Sequence, residues 1–385
     1  MNRVYFDHAA TTRTDPRVLE AMLPFLSETF GNPSSVHDVG QEARAAVEAA
    51  RKRVAGFIGA RPDEIVFTSS GTEADNFAIK GLAAAAQKKG NHIITSSVEH
   101  HAVLHSCKKL EKQGFQVTYL PADGYGMVNP EDVAKAILPS TILISVMHAN
   151  NEVGTIQPIA EISRIARERG IVFHTDAVAT VGSIPVDVNR LGVDLLSLAG
   201  HQFYGPKGIG ALYVRKGTTL QSIIQGGGHE HGLRSGTENI PGIIGLGRAA
   251  DLAREIMAPE AERLTELRDR LAKRVMAEVK DCWINGSMEK RLPGSLNFGF
   301  RYVEGESLLL FLDSMGIAVS TGSACSSHKL EPSHVLLALG LGPEECHGSL
   351  RITMGRSNTE EEADFVADAI AKAVQRFRGI SALGR

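Results

Sequence analysis

Asp194-Leu195-Leu196-Ser197-Leu198 runs into Ala199-Gly200-His201-Gln202-Phe203-Tyr204-Gly205-Pro206-Lys207-Gly208, and Gly210-Ala211-Leu212-Tyr213-Val214 follows. The two apolar runs read as strands and the glycine-rich piece between them as a turn. Upstream the same rhythm recurs. Glu64-Ile65-Val66-Phe67-Thr68, His92-Ile93-Ile94-Thr95-Ser96, Gln116-Val117-Thr118-Tyr119-Leu120, Leu143-Ile144-Ser145-Val146-Met147 and Ile171-Val172-Phe173-His174-Thr175 read as strands. Helical patterns at 72–89, 101–114 and 158–169 separate several of them. Continuous apolar strands alternating with helices predict an α/β fold with a largely parallel sheet covered on both faces. Ligands of such sheets bind beyond the carboxyl ends of the strands.

The pattern changes after about 240. Residues 241–280 read as one or two long helices. Shorter strands at 295–300, 317–319 and 349–354 then alternate with helices at 305–315, 333–340 and from 358. A second, smaller α/β domain is expected there.

Composition narrows the function. The chain has 385 residues, 44 acidic against 41 basic, so no basic excess points to nucleic acid. No apolar run is long enough to span a bilayer, and the start lacks the apolar stretch of a signal peptide. A cytoplasmic protein is expected. The four cysteines, Cys107, Cys282, Cys325 and Cys346, form no C-x-x-C pair. Cys107, within a predicted helix, and Cys282, beside Trp283, read as packing residues. Cys346 precedes His347 in a segment read as strand, where neighbouring side chains diverge, so the pair is weak evidence for a metal or a catalytic dyad.

Several motifs carry chemistry. Ser69-Ser70-Gly71-Thr72-Glu73-Ala74-Asp75-Asn76 follows a strand and opens a helix, where free N–H groups hold phosphate. By itself the motif reads equally well as a simple N-cap. Asp176, in His174-Thr175-Asp176-Ala177, ends a strand; a carboxylate there can pair with a protonated pyridine nitrogen, although a lone one is commonly a turn residue. His100 reads either as a ring that stacks on an aromatic group or as a helix cap. Cys325, in Ser320-Thr321-Gly322-Ser323-Ala324-Cys325-Ser326-Ser327, lies among small polar residues, which suits an exposed loop and a nucleophilic thiolate. Arg351 reads as a two-pronged clamp for a carboxylate or as an ordinary ion pair.

Together these motifs resemble the class V cysteine desulfurases. The resemblance runs from Tyr5-Phe6-Asp7-His8-Ala9-Ala10-Thr11-Thr12 to Gly355-Arg356-Ser357-Asn358-Thr359. It includes Phe30-Gly31-Asn32-Pro33-Ser34-Ser35-Val36-His37, Ala149-Asn150-Asn151-Glu152-Val153-Gly154 and Leu233-Arg234-Ser235-Gly236-Thr237-Glu238-Asn239. It implies the fold type I of pyridoxal-phosphate-dependent transferases: a large domain at 16–254 with a mostly parallel seven-stranded sheet, and a small domain built from 1–15 and 255–385. It implies that Gly71, Thr72 and His201 hold the cofactor phosphate, with Thr237 reaching the phosphate of the partner in a homodimer. His100 would stack on the ring and move protons, and Asp176 would pair with the ring nitrogen. Asn151 and Arg351 would hold the carboxylate of L-cysteine. Cys325 would attack the substrate sulfur and pass the persulfide to an iron–sulfur scaffold protein or another acceptor, leaving L-alanine.

The chain departs from that pattern around the cofactor. Gln202 stands where the resemblance implies the Schiff-base lysine, Ala179 where it implies glutamine, Ala199 where many relatives carry serine, and His231 where it implies arginine. An amide forms no imine. The sequence therefore predicts noncovalent or absent pyridoxal phosphate and weak or lost turnover. The alternative is a non-enzymatic, cofactor-free assembly partner presenting Cys325 as sulfur carrier or cluster ligand. No other metal site is expected.

Overall fold

Strand residues of alternating orientation build two cores at once. In the computed structural model, which describes residues 3–321 and 331–380, Ile93, Leu143, Leu195 and Leu212 pack to one side of the main sheet. Their chain neighbours Ile94, Ile144, Leu196 and Tyr213 pack to the other. That is the period-2 consequence of a pleated strand buried on both faces.

The chain begins with a short strand, β1 (Val4–Tyr5). The main sheet then uses β2 (Ile65–Thr68), β3 (His92–Ser96), β4 (Gln116–Leu120), β5 (Thr141–Ser145), β6 (Val172–Asp176), β7 (Leu195–Ala199) and β8 (Gly210–Val214). Their spatial order is β2-β8-β7-β6-β5-β3-β4. Only β8 runs against its neighbours; β3 pairs in parallel with β4 and β5, β5 with β6, and β6 with β7. The carboxyl ends of β2, β3, β5, β6 and β7 therefore open on one side.

Helix Asp38–Phe57, absent from the sequence reading, packs its Ala43, Val47, Ala50 and Val54 stripe into one core. The predicted helix 72–89 forms in three pieces: Gly71–Asn76, a π turn Phe77–Gly81, and Leu82–Ala86. The long segment after 240 is one helix, Ile240–Glu278, with Pro259 inside it.

A second core gathers Phe6, Leu271, Phe298, Leu350, Ile352 and Ile370. Its sheet is antiparallel, ordered β12 (Ser349–Thr353), β10 (Ser295–Phe300), β9 (Cys282–Ile284), while β1 pairs in parallel with β11 (Ile317–Ala318). On β10, Leu296, Phe298 and Phe300 enter that core, leaving Asn297 on the opposite face. No helix among the described residues is long and apolar enough to cross a membrane.

The N-terminal segment joins the two sheets. Ala9 N donates to Thr353 Oγ1 at 2.8 Å, and three residues later Thr12 Oγ1 donates to His201 O at 2.7 Å and accepts from Tyr204 N at 2.8 Å. Tyr204 is held at φ 64°, a left-handed conformation costly for a side chain with Cβ, and its hydroxyl accepts from Arg356 N at 2.5 Å.

Candidate active site

The carboxyl ends of the main-sheet strands and the start of the chain enclose a cavity of about 290 Å³. Its wall brings together Gly71, Thr72, His100, Asn151, Asp176, His201, Gln202 and Arg351, eight residues singled out from sequence. Thr237 is not among them; it is exposed in the connection before helix Ile240–Glu278. Cys325 lies outside the described residues.

Each wall residue is placed by local structure. Ser70 caps helix Gly71–Asn76, accepting from Glu73 N at 3.1 Å. A Cβ on Gly71 would lie 2.4 Å from Val178 Cγ2, so only glycine lets this helix start sit against the Asp176–Val178 turn. That turn is fixed by Val178 N donating to Asp176 Oδ1 at 2.9 Å. His100 caps helix His101–Glu111, its Nδ1 accepting from Ala102 N at 3.2 Å. One ring thus caps this helix, as one of the two sequence readings had it, and also lines the cavity. His201 and Gln202 occupy a single 3₁₀ turn after β7. Gln202 Nε2 donates to the carbonyl of Ala9 at 2.9 Å.

Arg351 reaches the cleft from β12 and is almost fully buried. Its Nη2 pairs with Asp7 Oδ1 at 2.9 Å, Nη1 approaches Asn151 O at 3.5 Å, and Nε is buried without a partner. Half of the guanidinium fork is committed to the N-terminal segment. Burial raises the Asp7 carboxyl, and Arg351 opposes that shift.

The floor is more acidic than the sequence reading anticipated. Asp75, 1% exposed, lies against Asp176, and burial first, then this like-charged neighbour, push its carboxyl well above the ordinary range. Burial also raises Asp176, an effect His100 opposes. Behind them His174 bridges Ser145 Oγ at 2.8 Å and Ser197 Oγ at 3.0 Å, and burial lowers it to about 3, so the imidazole is neutral. Asp75 was quoted within its motif without a role. Its position, four residues after Gly71 on the same helical face, was the available signal. Glu99 was also missed: it is fully buried, accepts from Ser96 Oγ at 2.6 Å and Met147 N at 2.9 Å, and burial raises it to about 8.

The remaining cysteines behave as packing groups. Burial pushes Cys107 up to about 12 and Cys346 to about 11, values that suppress the thiolate. Cys282 Sγ donates to Val279 O at 2.9 Å. One expectation is corrected. Cys346 and His347 lie in a short helix, Pro343–His347, rather than in a strand; Pro343 at its first turn starts it, Cys346 turns inward and His347 is exposed.

Residues 4–366 match the aminotransferase class-V family. The cysteine desulfurase IscS of Dictyoglomus turgidum is 57% identical over 98% of this chain and 96% of its own length. That of Methanosarcina thermophila is 53% identical over 99% and 94%. Among solved structures, a NifS-like protein superposes with a TM-score of 0.92 at 41% identity, covering 97% of this chain and all of its own. SspA in complex with cysteine gives 0.82 at 40%, covering 91% and 98%. With sequence and overall fold agreeing along nearly its whole length, the chain belongs to the class-V aminotransferase family, in its IscS/NifS-like cysteine desulfurase group.

Proposed function

We propose that this protein is a cysteine desulfurase that binds pyridoxal phosphate without a covalent link and mobilises sulfur for iron–sulfur cluster assembly. The observation that carries the reading is the convergence of Asp176, His100, the Gly71–Thr72 helix start and Arg351 on one cleft beside Gln202. The family uses this cofactor, and the cleft suits it. The space opposite Gly71 admits no Cβ, and Asp176 is a buried carboxylate without an arginine or lysine partner among the described residues.

In this reading Gly71, Thr72 and His201 hold the phosphate, Asp176 pairs with the ring nitrogen and His100 covers the ring. Bound there, pyridoxal phosphate supplies an electron sink for the α-carbon of the substrate. Arg351 and Asn151 orient the carboxylate of L-cysteine. His100, fixed by its bond to Ala102 N–H, carries a proton at its other ring nitrogen. Cys325 takes the substrate sulfur and hands it to a scaffold protein. Thr237, exposed and away from its own cleft, serves the phosphate of a second copy, which makes the working unit a homodimer. We further propose that residues 1–15 with 255–385 form the small domain and 16–254 the large one. The site of action is the cytoplasm, in keeping with the unpaired thiols of Cys107, Cys282 and Cys346.

Gln202 sets the rate. A side-chain amide neither condenses with an aldehyde nor moves a proton near neutral pH, and positioned acid–base catalysis is worth roughly 10²–10⁴-fold. Slow turnover follows. The cofactor-free assembly partner gains no support from relatives that are named as desulfurases at 57 and 53% identity. The deciding experiment incubates purified protein with L-cysteine, a thiol and added pyridoxal phosphate. Alanine and sulfide in equal amounts, over several turnovers, support the reading. No alanine beyond a Cys325→Ser control overturns it.

A further inference from the structure

Asp75 and Asp176 meet at the floor of the cleft from different elements. Asp75 comes from helix Gly71–Asn76 and Asp176 from the carboxyl end of β6, and both line the cavity. One oxygen of each lies within 4.8 Å of the other and of a His100 ring nitrogen. Both are nearly sealed from water, Asp75 1% and Asp176 5% exposed, and among the described residues neither makes an ion pair with arginine or lysine. Two buried carboxylates side by side do not both ionise, and one proton turns their repulsion into a hydrogen bond. We infer that Asp75 is a positioning residue for the cofactor: it holds that proton, donates it in a hydrogen bond to Asp176, and leaves Asp176 as the single anion facing the ring nitrogen. This role rests on the assignment of Asp176 in the proposed function.

The surroundings decide which carboxyl keeps the proton. Asp176 accepts from Val178 N at 2.9 Å and has His100 beside it, and both favour its charged form. Asp75 has the opposite setting. Its Oδ1 is buried with no hydrogen-bond partner, and the charges that act on it, Asp176 and then Glu99, are acidic. His174 approaches Asp75 at 3.6 Å, but it shares that nitrogen with Ser197 Oγ at 3.0 Å, and burial keeps its ring neutral. The Ser197 hydroxyl favours charge on Asp75, and burial and the Asp176 charge outweigh it. Burial raises both carboxyls; their mutual hydrogen bond then raises Asp75 and lowers Asp176, as fits a donor and its acceptor.

The consequence is chemical. A protonated Asp176 would form no ion pair with the ring nitrogen, and a buried anion short of donors is costly. The Asp75 hydroxyl satisfies that anion without adding a second charge. Gln202 gives no covalent tether, so the hold on the ring depends the more on this contact.

The test separates the proton from its role. Infrared spectra of the cofactor-free protein, with isotope-labelled aspartate, are recorded at neutral pH. The C=O stretch of a protonated carboxyl is expected in the parent and is expected to vanish in Asp75→Asn. A parent without this band, or a band that survives in Asp75→Asn and disappears in Asp176→Asn, overturns the inference. Pyridoxal phosphate is then titrated into each protein. Asparagine keeps an N–H donor toward Asp176, so Asp75→Asn is expected to bind with the parent's affinity. Alanine keeps no donor, and Asp75→Ala is expected to bind about 10–100-fold more weakly. Binding as weak in Asp75→Asn as in Asp75→Ala, or unchanged in Asp75→Ala, overturns the positioning role. Circular dichroism checks folding; where Asp75→Ala does not fold, the infrared band and the affinity of Asp75→Asn decide. A parent that shows the band and binds no pyridoxal phosphate would leave the proton on Asp75 and overturn both the cofactor reading and the role built on it.

Discussion

Gln202 Nε2 donates to the backbone carbonyl of Ala9 at 2.9 Å, across 193 positions of sequence. The bond holds the amide against the N-terminal segment, which is itself fastened to β12 by Ala9 N to Thr353 Oγ1 and to the turn after β7 by Thr12 Oγ1 to His201 O. The Gln202 side chain is thus an ordered part of the cleft wall.

The first prediction concerns this position. Gln202→Lys introduces an amine at the cleft wall, and an ammonium group can also donate to Ala9 O. After incubation with pyridoxal phosphate and borohydride, intact-mass measurement should show one cofactor fixed per chain in the variant and none in the parent. Alanine formation should rise by roughly 10²–10⁴-fold. A cofactor fixed to the parent chain, for instance at Lys207, would contradict the noncovalent reading.

A second prediction is about stability. Arg51 and Glu230 form a buried two-pronged pair at 2.8 and 2.7 Å, and Glu230 Oε2 also accepts from Phe67 N at 2.8 Å. The pair ties helix Asp38–Phe57 to β2 and to the turn at Glu230–Gly232, where Glu230 itself has φ 49°. Removing one partner strands the other charge. Arg51→Met should lower the unfolding free energy by about 3–5 kcal/mol in urea at neutral pH. The double variant Arg51→Met, Glu230→Gln should recover part of that loss.

Glu152 gives a pH signature. It is buried, and burial raises it to about 7 against the pull of Ser333 and Arg351. Its folded pKa lies above its unfolded value, so the folded state keeps the proton that the unfolded state releases. This contribution therefore destabilises as pH rises from about 4.5 to about 7 and is constant outside that window. Glu152→Gln should remove close to one proton from the pH dependence of unfolding there, about 1.4 kcal/mol per pH unit at most. Parallel stability curves for the two proteins would show that Glu152 does not titrate this way.

The sequence carried the main sheet because β3, β5 and β7 are apolar on both faces, and it carried the cleft because Gly71, Asp176 and His201 sit at strand ends, where the topology converges. What it hid depends on contacts distant along the chain. Asp75 looks like a solvated helix residue until Asp176 is packed against it. Glu99 is unremarkable until Met147 N, 48 positions away, donates to it. The π turn Phe77–Gly81 leaves no mark in apolar spacing, and the helix pattern was read straight through it. Ala9 has no side chain that could signal its role, because that role is played by its carbonyl.

The last prediction separates substrate binding from cofactor binding. Arg351 already spends Nη2 on Asp7, and its Nε is buried without a partner. An entering carboxylate would accept from that unsatisfied edge. Charge-assisted hydrogen bonds to such a group contribute about 1.5–3 kcal/mol. Lysine keeps the charge but presents a single ammonium in place of the planar fork. Arg351→Lys should therefore weaken L-cysteine binding by about 10–100-fold, read from the perturbation of the bound cofactor's absorbance. The affinity for pyridoxal phosphate itself should change little, because Arg351 is assigned to the substrate. Equal losses for both ligands would instead mean that Arg351 maintains the cleft through Asp7, and Asp7→Asn would then reproduce the whole effect.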